Sequence, residues 1–364
     1  MSPRVRALFK EWPLLLSYGS LIVVLIFGSS LFESIGGVFG FSILFFWLFL
    51  VILFAAFGVV HHAECLAHKL GEPYGTLILT LSVIGLEVLM IVTVMLTKSE
   101  NPEMARDTMF GVLMIVVNGL FGAAIIFGAL KHRIQQVNFR STETYIGGII
   151  VLVGIGLVLP TFVEAKNLFA FEVFLIGTCV AIYGLFLWIQ TKEHRGFFIS
   201  APAEGEIHDH AHDSPFGVGY HVVFMILTLV PLVILAKQLS VVLDFGLEIF
   251  GLPDALAGLV VAVLILAPEG LAAFHAARVN NLQRALNICL GSALATIGLT
   301  IPAVLIISFI IGQEVTLGLA PVEIVLVAMS ITLLTINLGK GETNLMKGAL
   351  HLMLFATYCI FVFI

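Results

Sequence analysis

Apolar runs alternate with short polar breaks along the whole chain, falling near 13–31, 39–60, 75–97, 107–130, 143–161, 169–190, 218–240, 253–277, 285–311, 320–337 and 343–364. A helix rises about 1.5 Å per residue, so some twenty apolar residues are enough to cross roughly 30 Å of hydrocarbon. The pattern predicts eleven transmembrane helices. A lipid-exposed backbone must satisfy its own polar groups, which a helix does within each span. One break is long and hydrophilic, Thr191 to Gly217, and it leaves six spans before it and five after.

With 60% hydrophobic and 11% charged residues, the composition excludes a soluble globular domain. Charge then sets the expected orientation. With the N-terminus cytoplasmic, Arg4, Arg6, Lys10, Lys69, Lys131, Arg133, Arg140, Lys192, Arg195, Arg278, Arg284, Lys340 and Lys347 fall on the cytoplasmic side. Lys98, Arg106, Lys166 and Lys237 fall on the other, a division of thirteen to four among the seventeen basic residues. The C-terminus is then expected outside, and the bacterial inner membrane is the expected location. The basic N-terminus resembles a signal peptide, but no convincing cleavage site follows it, so residues 13–31 are kept as a span. Cys65, Cys179, Cys289 and Cys359 have neither zinc-site nor redox spacing and are expected to be buried free thiols.

Two segments resemble each other across the long break. Thr80 to Met90 reads TLSVIGLEVLM, with Glu87 in mid-span; Ala262 to Ala272 reads AVLILAPEGLA, with Glu269 in the corresponding place. Downstream, Arg106 and Arg284 each precede a polar intramembrane residue by twelve positions, Asn118 and Thr296. The third and eighth spans are five apart, an odd number, so the copies cross the membrane in opposite senses. Inverted repeats of this kind are typical of secondary transporters with a midplane site. The expected fold is an all-α polytopic membrane protein: an N-terminal segment and first helix (1–38), a five-helix repeat (39–190), a cytoplasmic linker (191–217) and a second, inverted five-helix repeat (218–364). Pro268 and Gly270, like Gly85 in the first copy, are expected to interrupt their helices and free carbonyls for a cation.

An intramembrane carboxylate costs on the order of 3 kcal/mol unless it is protonated, paired or hydrated. No lysine or arginine lies in mid-span, so Glu87 and Glu269 are expected to hold either protons or a cation, and competition between the two is the chemistry of a cation/proton antiporter. The bland reading, two permanently protonated carboxyls bonded between helices, is the weaker one. Ser82, Thr93, Asn118, Ser292 and Thr296 are further candidate oxygen ligands beside them, although Ser and Thr also bond their own helix backbone. Glu323 is a candidate for an external entrance, while Glu172, Glu248 and Asp254 are expected near span ends in interfacial roles. In the linker, Glu204, Glu206, His208, Asp209, His210, His212 and Asp213 form a candidate regulatory cation site, though a disordered acidic linker has the same composition.

Three stretches resemble a known family: GEPYGTLILTLSVIGLEV (Gly71 to Val88), LAPEGLAAFHAARVNNLQRALNICLGSALATIGLTIP (Leu266 to Pro302) and GKGETNLMKGALHL (Gly339 to Leu352). They are similar to the bacterial ChaA-type calcium/cation antiporters, in the cation/proton exchanger branch of the calcium:cation antiporter superfamily. The resemblance runs over nearly the whole chain. It implies proton-coupled export of Ca2+, with Na+ and K+ as further cations. In the wider family each repeat carries G-N-x-x-E, whose glutamates bind the ion; Glu87 and Glu269 take those places. The Gly-Asn pair is replaced by Val83-Ile84 and Ile265-Leu266, which removes two amide ligands and makes a Na+ or K+/H+ antiporter with little Ca2+ activity the alternative. The family's serine segment in the second repeat survives as Gly291-Ser292, and Asn118 stands at its first-repeat counterpart.

A cation channel also uses intramembrane acids, but the inverted repeat favours alternating access. No enzymatic activity, catalytic residue or cofactor is expected. His61-His62-Ala63-Glu64 lacks the H-E-x-x-H zinc spacing and is expected to be solvated in the loop between spans two and three. No G-x-x-x-x-G-K-S/T loop occurs, so the energy source is expected to be an ion gradient. The expected partners are the lipid bilayer and small inorganic cations, with no nucleic acid, and the oligomeric state is left open.

Overall fold

The computed structural model describes residues 11–33, 37–71, 74–97, 102–198, 214–253 and 255–363. Among the described residues, eleven apolar helices stand at the eleven expected places. They are α1 (Trp12–Glu33), α2 (Val38–Leu70), α3 (Tyr74–Thr97), α4 (Met104–His132), α5 (Phe139–Phe162), α6 (Ala165–Glu193), α7 (Val218–Phe250), α8 (Ala255–Arg278), α9 (Leu282–Ile311), α10 (Pro321–Leu338) and α11 (Leu345–Phe363). Among the described residues, nine are long and apolar enough to cross a membrane, and α1 and α3 contribute shorter apolar stretches, Trp12–Gly28 and Ile78–Thr93. The protein is an all-α, multi-pass membrane protein.

The ends follow local chemistry. The Asn138 side chain accepts from the Arg140 and Ser141 N–H groups to start α5, and the Asn281 side chain accepts from Arg284 N–H in the first turn of α9. Gly251 and Gly312 close α7 and α9 in the left-handed conformation, which costs glycine nothing.

Two compact units emerge, and each draws on both halves of the chain: Met1–Ser99 with Ile207–Pro268, and Glu100–Glu206 with Glu269–Ile364. The first holds α1, α2, α3, α7 and the start of α8. The second holds α4, α5, α6, α9, α10, α11 and the end of α8. Within the second unit α4 and α9 are the interior helices, 78% and 61% buried over their most apolar windows, whereas α6 is 17% buried and largely outward-facing. A short antiparallel pair, β1 (Ile134–Gln136) and β2 (Glu342–Asn344), ties the end of α4 to the start of α11.

Two expectations are corrected. Residues His61 to Glu64 do not form a solvated loop: α2 runs on to Leu70, ending at Gly71 with φ +63, and His62 is 1% exposed. Hydropathy marks where the bilayer stops, but Ala, Glu, Leu and Lys in AECLAHKL are strong helix formers and carry the helix beyond it. At 33 residues and about 1.5 Å each, α2 is about 50 Å long, well beyond the hydrocarbon. Nor do Pro268 and Gly270 interrupt α8, which is continuous from Ala255 to Arg278. Proline removes one N–H and so leaves Leu264 C=O without its helical donor, but packing neighbours keep the rest of the helix intact.

Candidate carboxylate site

Helical irregularity lies on the partner helices instead. Helix α4 widens into a π turn at Ile115–Leu120, and α9 does so at Thr296–Thr300. Asn118 sits inside the first and Thr296 opens the second, so the two polar positions matched in the sequence both fall on wide turns. Such turns displace backbone and side chains from the regular ladder and recur at functional sites.

In the second unit, Glu269 on α8 accepts a hydrogen bond at Oε2 from Ser292 Oγ on α9, at 2.8 Å. Both residues retain some exposure, and among the described residues no basic side chain pairs with Glu269. Gly270 explains the close approach of α8 to the π turn of α4: a Cβ there would come within 2.9 Å of Leu120 Cδ2. The end of α8 is then anchored by Gln135 on β1, whose Nε2 donates to Ala277 O at 2.9 Å and to Asn280 Oδ1 at 3.0 Å.

Asn118 is fully buried and bonds in two directions. Its Nδ2 donates to Ser330 Oγ on α10 at 2.8 Å, and its Oδ1 lies 3.0 Å from His351 Nδ1 on α11. Helices α4 and α11 meet closely enough for this because Gly122 faces Gly348; a Cβ on Gly348 would be 2.8 Å from Gly122 O. Ser330 and His351 were not legible as site residues. His351 is a single imidazole in the apolar run GALHLMLF, and that position is its sole sequence signal. Thr300, four residues after Thr296 and so on the same helical face, was also missed; it is fully buried.

The other expected residues are placed as follows. Glu87 on α3, in the first unit, is 3% exposed and Ser82 is half-buried. Thr93 Oγ1 donates to Leu89 O at 2.6 Å, the local backbone bond that competes with ligation. Thr296 is buried. Glu323 is half-buried in the first turn of α10, where its Oε2 accepts from Ala320 N–H at 2.8 Å. Arg106 lies in the first turn of α4, bonded to Asp107, Glu103 and Gly318 O. Glu172 is half-buried on α6 and Glu248 exposed on α7. Cys65, Cys179 and Cys289 are buried and Cys359 half-buried, and none of them forms a disulfide among the described residues. The linker cluster of Glu204 to Asp213 and Asp254 lie outside the described residues. Among the described residues no group of three or more His, Cys, Asp or Glu side chains could hold a metal ion.

The first unit contains a polar cluster that the sequence did not suggest. Glu11, just before α1, accepts from Tyr220 Oη at 2.7 Å and from His62 Nε2 at 3.1 Å, and His62 Nδ1 lies 3.0 Å from His221 Nδ1. Burial acts to raise the Glu11 carboxyl, but the hydrogen bonds from His62 and Tyr220 outweigh it and hold the group below the usual carboxylate range.

A bundle of apolar helices with a carboxylate inside a membrane helix of each compact unit, and wide turns carrying amide and hydroxyl groups, defines a polytopic membrane protein with intramembrane acids. The sodium/calcium exchanger protein family model matches residues 40–192 and 220–364, and the chain belongs to that family. It is 37% identical over 363 residues to the sodium-potassium/proton antiporter ChaA of Escherichia coli (strain K12), covering 99% of this chain and 98% of the relative. Its fold is shared with native YfkE, at TM-score 0.75 and 16% identity over 96% of this chain and 98% of that one. The H+/Ca2+ exchanger CAX superposes at TM-score 0.72 and 15% identity, over 97% of this chain and 88% of that one.

Proposed function

We propose that the protein is a cation/proton antiporter in which Glu87 and Glu269 alternately hold a cation or protons. The observation that carries this reading is Glu269: a carboxylate inside a membrane helix whose hydrogen-bond partner is a neutral hydroxyl, with no basic counter-charge among the described residues. An ionised carboxylate so placed requires a cation, and without one it requires a proton. Deprotonation on one side of the membrane admits the cation; release on the other lets the proton return, so proton re-entry drives cation export. Ser292, and Ser82, Asn118 and Thr296, are the proposed neutral oxygen donors, with Glu323 at an external entrance.

The proposed cargo is Ca2+, with Na+ and K+ also carried. The monovalent reading draws support from the loss of both Gly-Asn pairs and from the full-length relative described as a sodium-potassium/proton antiporter. The repeats 39–190 and 218–364 are proposed to be inverted copies rocking about the site, in the inner membrane, with the N-terminus cytoplasmic and the C-terminus periplasmic. No enzymatic step is part of the cycle.

The test is proton flux in proteoliposomes holding a preset pH gradient, with Ca2+, Na+ and K+ added in turn. Wild type should move protons on cation addition, and Glu87→Gln or Glu269→Gln should abolish the response while the protein remains monodisperse and membrane-inserted. Substantial exchange in either variant overturns the site assignment.

A further inference from the structure

The hydrogen bonds around Asn118 can be assigned atom by atom. Ser330 Oγ has one proton, and its shortest bond, 2.7 Å to Leu326 O on its own helix, uses it. The hydroxyl oxygen must therefore accept from Asn118, which places Nδ2 toward Ser330 at 2.8 Å. The second Nδ2 proton faces Met114 Sδ at 3.7 Å. Oδ1 then faces His351 Nδ1 at 3.0 Å, and because an amide oxygen only accepts, Nδ1 carries the imidazole proton. Both Asn118 donors are engaged and one lone pair of Oδ1 is taken. The second lone pair of Oδ1 is the single bonding position left on that side chain.

We infer that His351 is a positioning residue for cation binding: it fixes the Asn118 amide with its oxygen turned away from Ser330 and one lone pair left for the cargo. The inference rests on the proposed reading of the second unit as part of a cation site. The fold supports the arrangement independently. Gly122 and Gly348 let α4 and α11 approach at the level of His351, and a Cβ on Gly122 would lie 2.8 Å from His351 Cβ. The imidazole edge also meets the Phe121 ring, with centroids 6.1 Å apart, which limits its rotation. Asn118 lies on a π turn, a feature that recurs at functional sites. The other imidazole nitrogen, Nε2, is buried without a hydrogen-bond partner among the described residues, so the contact to Asn118 is the one polar bond the ring makes.

Two substitutions separate the two nitrogens. In His351→Asn the side-chain amide nitrogen takes the place of Nδ1 and can still donate to Asn118; in His351→Gln the amide reaches the place of Nε2 and leaves Asn118 without its donor. Cation-dependent proton flux in proteoliposomes is measured over a range of cation concentrations, alongside Glu269→Gln and a thermal-stability check in detergent. His351→Gln should raise the cation KM by about fivefold, the loss of one such hydrogen bond, with a smaller change in maximal rate, and His351→Asn should restore most of the affinity. Asn118→Ala should weaken binding as well, and adding His351→Gln to it should cost nothing further, since the histidine acts through the amide. Wild-type KM in both histidine variants overturns the inference, as does a loss in His351→Asn that His351→Gln escapes, which would make Nε2 the working atom. Additive losses in the double variant overturn it too, and they decide the case if both single variants fall. Retained exchange in Glu269→Gln would instead sink the reading of the site, so the two failures are distinct.

Discussion

At the level of single side chains, the chemistry of the second unit depends on which oxygen faces which donor. Ser292 Oγ gives its proton to Glu269 Oε2, so it stabilises the ionised carboxylate and keeps its own lone pairs available for the proposed cargo ion. A hydrogen bond of this kind contributes about 1 kcal/mol, so Ser292→Ala should raise the cation KM by about fivefold while the maximal rate changes less. Flux measured against cation concentration checks this; an unchanged KM would mean that the hydroxyl serves packing alone. Glu87 and Glu269 were legible as candidates because charge inside an apolar run is costly and therefore conspicuous. Ser330 and His351 were not, because a hydroxyl or an imidazole on a helix gains significance only from the side chain across from it, and the sequence separations here are 212 and 233 residues.

At the scale of elements, hydropathy located every span and misjudged how some of them end. Helices α2 and α7 each run for 33 residues, and the extra turns of α2 carry His62 to Glu11, ahead of α1, where Tyr220 and His221 in the first turn of α7 join it. The Glu11 carboxyl is held below its ordinary value of 4.5 in the folded protein, so the folded state binds protons at Glu11 less readily than the unfolded chain. The associated stabilisation is therefore present above pH 4.5 and is lost as pH falls through the lowered folded value. Thermal unfolding in detergent should show wild type more stable than Glu11→Gln near neutral pH, with the difference shrinking on acidification below that range; a difference that persists at the acid end would contradict the assignment. The wide turns at 115–120 and 296–300 each hold one glycine, Gly119 and Gly298, but glycines such as Gly111, Gly122 and Gly291 also stand in regular stretches of the same helices, so residue type alone did not mark the turns.

At the scale of the whole molecule, each compact unit combines helices from before and after the long break, so neither unit coincides with one half of the chain. The acidic, His-containing composition of the connection at 191–217 marks it as peripheral to the proposed chemistry. Deleting Glu204 to Asp213 should leave basal exchange within about twofold of wild type, because loop-closure entropy varies slowly with length, and should alter at most the cation or pH response. Complete loss of flux in a correctly inserted deletion variant would show that the acidic, His-containing segment belongs to the transport machinery itself.

The sequence by itself determined the class and the eleven helices and singled out two carboxylates as candidates, because burying polar backbone or charge in hydrocarbon has a cost large enough to be visible in every span. It also carried the resemblance that the family match upholds. Tertiary structure decided the rest: the pairing of Ser292 with Glu269, the approach of α4 and α11 through Gly122 and Gly348, the wide turns, and the grouping of helices into interleaved units. In lipid, helices are not sorted by hydrophobicity, since every outward face is apolar. Their partners are chosen by shape at small residues and by which few polar groups can satisfy one another, and both are properties of two surfaces rather than of one chain segment.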